Sequence, residues 1–151
     1  MSLAGGYETK NKKFEADLFY GYVPKKLGGV TIHSLSGKIT AYPFRNIQIK
    51  NWEVKPLSVG VLLNYSFGKQ YFVFDPEPYP FNYYGFPTAL HSGFFVGGAI
   101  GNNGKISSLK KLSLYYELVT YDVMLSSYFT NTKSLSISDV FSLGLGIKKK
   151  F

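Results

Sequence analysis

The stretch WEVKPLSVGVLLNYSFG, Trp52 to Gly68, decides the fold. Counted in twos, Leu57, Val59, Val61, Leu63, Tyr65 and Phe67 fall on one face. Pro56, Ser58, Gly60, Leu62, Asn64, Ser66 and Gly68 fall on the other. A β-strand points successive side chains to opposite sides of its sheet. The segment therefore reads as a strand with one greasy face, closed by two aromatics, and one face of small and polar residues. A helix would need apolar residues three and four apart, and this run does not supply them.

The same period governs the rest of the chain. At the C-terminus Phe141, Leu143, Leu145, Ile147 and Phe151 share a face broken by Lys149, with Ser142, Gly144, Gly146 and Lys148 opposite. Phe14 to Val23 sets Ala16, Leu18, Tyr20 and Tyr22 against Glu15, Asp17, Phe19 and Gly21. Val30 to Phe44 sets Leu35, Gly37, Ile39 and Ala41 against Ser34, Ser36, Lys38 and Thr40. Thr88 to Ile100 sets Leu90, Phe94, Val96 and Ile100 against His91, Gly93, Phe95 and Gly97. Leu112 to Phe129 reads as one long strand with Glu117 on its polar face. Its parity slips near Val119 and Thr120, which predicts a β-bulge, after which Asp122 rejoins the face of Glu117. Gln70–Phe74 and Ile47–Lys50 are candidates for shorter strands. No helix and no internal repeat is read.

The connections carry turn chemistry. Pro24–Gly29 is short, and Gly101-Asn102-Asn103-Gly104 is a strong turn signal. Asp75–Pro87, DPEPYPFNYYGFP, is too rich in proline for a central strand. Its length and aromatic content make it the candidate contact loop for a partner protein. Residues 1–13 are expected as a flexible N-terminal segment, with Met1–Gly6 read as a remnant ahead of a mature exported chain. Residues 14–151 are expected to form a single β domain.

Composition narrows the class. Of 151 residues, 18% are aromatic and only 17% are charged, where a soluble domain carries about 25% charge. Charge alone cannot cover such a surface. There is no cysteine, so disulfides and zinc–thiolate sites are excluded. The net charge of +8 suits anionic lipid or lipopolysaccharide phosphate. Its lysines are dispersed in pairs at strand ends rather than along one stripe, so nucleic acid is not the expected partner. No apolar run of 18 residues exists to make a transmembrane helix.

The two faces then have to be assigned to inside and outside. The polar face is Gly- and Ser-rich, with Glu15, Asp17, Lys38, Glu117, Asp122 and Lys148 as its charges. A narrow transmembrane barrel has room inside for small residues and paired charges, and needs an apolar exterior. These six residues are therefore expected as a lumen charge cluster. Leu57, Val59, Val61, Leu63, Leu143, Leu145 and Ile147 are expected to face lipid. Closure into an antiparallel up-and-down barrel follows, because lipid tolerates no open sheet edge. The competing reading is a soluble lipocalin-like barrel holding an apolar ligand.

The closing run SLGLGIKKKF resembles the last strand of bacterial outer-membrane β-barrel proteins. The matching positions are Leu143, Leu145, Ile147 and the terminal Phe151, with Gly144 and Gly146 between; Lys149 departs from the pattern. The whole chain resembles the small single-domain barrels of that superfamily, of the kind found in Bacteroidota. The resemblance implies eight strands, where six are read directly. It also implies a bacterial outer-membrane location, contact with lipopolysaccharide, and Phe151 as a signal to the barrel-assembly machinery.

Catalysis is not expected. The sharpest alternative is a lipid A acyl hydrolase, which would resemble a Ser–His–acid site with Ser and His two residues apart on one strand face. His33 is followed by Ser34 and Ser36, and His91 by Ser92; Leu35 and Gly93 occupy the required positions. No metal cluster, phosphate loop or cofactor motif stands out.

Overall fold

The computed structural model describes residues 1–74, 87–102, 112–130 and 136–149. The chain is mostly antiparallel β-sheet, with eight strands curled into a half-barrel. They are β1 (Ser2–Glu8), β2 (Phe14–Val23), β3 (Ile32–Ala41), β4 (Ile47–Ile49), β5 (Trp52–Phe67), β6 (Leu90–Asn102), β7 (Leu112–Tyr121) and β8 (Ser142–Lys149). Two helices, α1 (Lys25–Gly28) and α2 (Asp122–Thr130), and a 3₁₀ turn at Ile137–Val140 lie in connections. The sheet order is β1-β2-β3-β5-β6-β7-β8, with β4 a short hairpin partner of β5. We call the end carrying the β2–β3, β5–β6 and β7–β8 connections the upper rim. The β1–β2, β3–β5 and β6–β7 connections make the lower rim.

Alternation becomes an inversion of polarity. In β2 Phe14, Ala16, Leu18, Tyr20 and Tyr22 are exposed, as is Val23 at the strand end, while Glu15 and Asp17 are buried. In β3 Leu35, Gly37 and Ile39 are exposed while Lys38 and Thr40 are buried. Leu143, Leu145 and Ile147 are each about two-thirds exposed. Glycines on the inner side make room for large neighbours. A Cβ at Gly60 would meet the Phe95 ring, and one at Gly146 would meet the Tyr115 ring.

Several expectations are corrected. The N-terminal segment expected to be flexible forms β1, paired residue for residue with β2 from Ser2↔Gly21 to Glu8↔Glu15. Its alternation is weak because Ala4, Gly5 and Gly6 carry little side chain. No bulge interrupts β7 near Val119 and Thr120, which pair in register with Phe95 and Phe94. The slip in parity arises because the inner face itself turns apolar at its upper end. A Cβ on Gly93 would meet both Leu62 and Tyr121 there. The long strand expected to Phe129 stops at Tyr121, and Asp122–Thr130 is helical. Adjacent apolar pairs, Met124-Leu125 and Tyr128-Phe129, do not suit a two-faced strand. The Thr130 hydroxyl donates to the Ser126 carbonyl at the helix end.

The bulge lies instead in β5, between Lys55 and Ser58. Both of those residues are buried, and Leu57 between them is half-buried. Gln70–Phe74 forms no strand, whereas Ile47–Ile49 does. Gly101 and Asn102, expected in a turn, extend β6 and pair with Glu53 and Trp52. The Asp75–Pro87 loop lies outside the described residues except Pro87, and Phe151 lies outside them too.

Candidate functional site

The inner face gathers side chains from six strands into a charged network. Lys38 on β3 donates to Glu117 on β7 at 2.6 Å. Its ammonium also sits 5.1 Å from the centre of the Phe19 ring, 4.9 Å from Phe95 and 5.0 Å from Tyr115. Three aromatic faces around one cation offset part of its lost hydration. Lys148 on β8 donates to Glu15 at 2.9 Å and to Asp17 at 2.7 Å, both on β2. The Tyr42 hydroxyl, just past β3, donates to the other oxygen of Glu15 at 2.6 Å. Lys55 on β5 lies 3.6 Å over the Tyr42 ring and donates to Glu8 on β1 at 2.6 Å.

Five of the six residues expected as a lumen cluster, namely Glu15, Asp17, Lys38, Glu117 and Lys148, meet here. Asp122 does not. Sequence reasoning also missed Glu8, Lys55 and Tyr42. The signal for Lys55 was Pro56, since proline inside a strand marks an edge or a bulge. A bulge reverses the parity of everything before it. Counted regularly, Lys55 would share the face of Leu57. Three lysines (Lys38, Lys55, Lys148) meet four acids (Glu8, Glu15, Asp17, Glu117). The cavity among Glu15, Tyr42, Lys55, Tyr115, Glu117 and Lys148 is about 20 Å³, room for about one water. The arrangement ties non-adjacent strands together across the inner face.

On the outer face, Val59, Val61, Leu63, Leu143, Leu145 and Ile147 are exposed. A second group lies at the upper rim. His33 takes its place on the outer face, its Nδ1 2.5 Å from the Tyr20 hydroxyl and its ring 5.3 Å from that of Tyr22. Ser34 faces inward, where a Cβ on Gly21 would meet its hydroxyl. His91 and Ser92 converge on Asp122 rather than on each other. One carboxylate oxygen accepts the Ser92 N–H at 2.9 Å and the Ser92 hydroxyl at 3.1 Å; the other lies 3.3 Å from His91 Nδ1. Among the described residues no serine hydroxyl is hydrogen-bonded to a histidine, the contact that would activate a nucleophile. None gathers three or more His, Cys, Asp or Glu side chains in a way that could hold a metal ion.

Asp122 acts as a staple between β6 and the first turn of α2. Partial burial pushes its pKa up, but the Ser92 and Val123 N–H groups, the Ser92 hydroxyl and His91 outweigh it and hold the carboxyl below its ordinary range. A depressed carboxylate contributes stability above its unfolded pKa, about 3.9, and loses it as pH falls through the folded value. Amide exchange across Asp122–Thr130 is therefore expected to speed up, relative to β6, between pH 5 and pH 2. Asp122→Asn should show that faster exchange already at pH 7. Equal protection in variant and parent at pH 7 would remove the staple.

The chain matches no protein-family profile, no curated protein and no solved structure.

Proposed function

We propose that the protein is a small integral β-barrel of a bacterial outer membrane, with a structural, adhesive or accessory-subunit role and no catalysis of its own. The observation that carries this reading is the inverted polarity. Glu15, Asp17, Lys38 and Lys55 are each less than a tenth exposed, while Leu18, Ile39, Leu63, Phe94, Leu114 and Leu145 are each more than half exposed. Water would favour the opposite arrangement by about 25 cal/mol for each Å² of apolar surface. Lipid favours the observed one, because it hydrates no charge. The lipocalin-like alternative needs an apolar lining to its interior, and this inner face carries ion pairs.

Supporting features sit at the rims. Tyr20, Tyr22, Tyr65 and Phe67 cluster at the upper strand ends, as aromatic residues do at membrane interfaces. Lysines at the lower turn (Lys12, Lys13) and on α1 (Lys25, Lys26) lie where lipid or lipopolysaccharide phosphates would meet them. The assembly role of Phe151 and the partner role of the Asp75–Pro87 loop belong to the same proposal.

Two measurements test it. The protein should fractionate with outer membranes and need detergent for extraction. Spin labels at Val61 and Leu145 should report hydrocarbon, while a label at Gly144 should not. Release in buffer alone, or the opposite labelling pattern, would sink the membrane reading. Separately, deleting Phe151 is expected to lower the inserted fraction in cells several-fold while sparing refolding into detergent. Unchanged insertion would remove its role as a signal.

A further inference from the structure

Register sets the outer side chains of β2, β3 and β5 in rows. The top row is Tyr22, His33 and Phe67, and the second is Tyr20, Leu35 and Tyr65. The third is Leu18, Gly37 and Leu63. Gly37 interrupts the apolar belt. A Cβ there would meet nothing within 4 Å, while Leu18 and Leu63 beside it are each more than half exposed. The result is a notch one side chain wide between two leucine ridges. Glycine weakens a strand interior, and it recurs there at bulges and where another molecule comes close. Gly37 pairs in regular register on both sides and has no positive φ, which leaves close approach as its use.

Above the top row stand three exposed lysines. Lys25 and Lys26 begin α1, just past the end of β2 at Val23, and Lys69 follows the end of β5 at Phe67. Residues 21–36 and 60–74 contain no acid. The acids described at this rim, Asp122 and Asp139, lie in the β7–β8 connection. His33 stands between the lysines and the notch. With the Tyr20 hydroxyl donating to Nδ1 at 2.5 Å, the ring proton rests on Nε2, which becomes an N–H donor on the outer face.

We infer that this strip, from Lys25, Lys26 and Lys69 down β3 to Gly37, is a site for one anionic phospholipid. The inference rests on the membrane reading. The phosphate meets the lysines and His33, the tyrosines border the ester region, and one acyl chain passes Leu35 and beds between Leu18 and Leu63. The spacing fits. Four residues from His33 to Gly37 make about 13 Å of strand, and half of a hydrocarbon core is about 15 Å, so the notch lies among acyl chains. Each lysine beside an anionic headgroup tightens binding by about five-fold. Free phosphate would use the lysines alone and leave the apolar notch empty.

The experiment titrates the full chain, in a non-ionic detergent, with dimyristoyl phosphatidylglycerol, dimyristoyl phosphatidylcholine or inorganic phosphate, read by native mass spectrometry. One phosphatidylglycerol should bind about ten-fold tighter than phosphatidylcholine, and inorganic phosphate at equal concentration should not displace it. Lys25→Gln, Lys26→Gln and Lys69→Gln together should weaken phosphatidylglycerol by at least about ten-fold. The same charge loss at the lower rim, by Lys10→Gln, Arg45→Gln and Lys50→Gln, should change it by less than about two-fold. Gly37→Leu should weaken binding several-fold with stability in denaturant unchanged, because its side chain enters open space. A diazirine in the middle of an acyl chain should label Leu18, Leu35 and Leu63.

Equal binding of the two lipids, equal loss in the two triple variants, displacement by inorganic phosphate, an unaffected Gly37→Leu, or labelling spread evenly around the belt would each overturn the inference. Asp75 and Glu77, outside the described residues, supply a last control. Binding seen only after Asp75→Asn with Glu77→Gln would mean that those acids hold the lysines, and would overturn it as well. Failure of the membrane reading looks different: the chain would stay soluble without detergent, whereas failure of the lipid site leaves a detergent-dependent protein with no lipid preference.

Discussion

Lys148→Met is expected to destabilise the folded protein by about 3–5 kcal/mol, the cost of removing one member of a buried charge pair. The lysine holds two carboxylates, Glu15 and Asp17, whose side chains are 9% and 4% exposed. Methionine fills much the same space, so packing changes little. What changes is that two acids keep their burial and lose their counter-charge; Glu15 retains the Tyr42 hydroxyl. Denaturant unfolding in detergent micelles measures the loss. The triple variant Lys148→Met, Glu15→Gln, Asp17→Asn should recover most of it, since no uncompensated charge remains. A triple variant as unstable as the single would mean that shape rather than charge sets the cost. Lys38→Met should cost less, because it strands Glu117 alone and leaves Phe19, Phe95 and Tyr115 to pack against the new side chain.

The fold was legible where a side chain's chemistry and its position agreed. Alternation from Leu57 to Phe67 and from Leu143 to Ile147 placed strands and faces together, and a charge every second residue at Glu15 and Asp17 marked the inner side. Legibility failed where the backbone changed rule without changing composition. At Asp122 the chain turns from strand to helix with apolar residues on either side of the change, so a period of two could be continued through it. At Pro56 a bulge turns Lys55 inward, and parity counting past that point returns the wrong face. β1 was hidden because glycine and alanine carry almost no pattern, although its pairing with β2 is complete. The charge network was only partly visible for the same reasons: its partners Glu8 and Lys55 sit on β1, expected to be flexible, and ahead of the bulge in β5. The partner of each inner charge is fixed by curvature of the sheet, a property that no single strand encodes.

Val61→Arg is expected to cost roughly 2–4 kcal/mol in lipid vesicles, the range for an arginine near the bilayer midplane on a lipid-facing barrel position. Val61 lies between Ile39 and Phe94 on neighbouring strands, and all three side chains are about half exposed. In water, arginine at such a position would be nearly free, within about 0.5 kcal/mol, because its head stays hydrated. The same substitution therefore separates the two solvents this outer face could meet. Urea unfolding of parent and variant is measured in vesicles and again in micelles of a short-chain detergent. The cost should be large in vesicles and smaller in micelles, where water reaches closer to the guanidinium. Val61→Ala controls for lost apolar contact and should cost less than the arginine in vesicles. Equal stability of Val61→Arg and the parent in vesicles would place this face against water and leave the buried lysines as the interior of a soluble half-barrel.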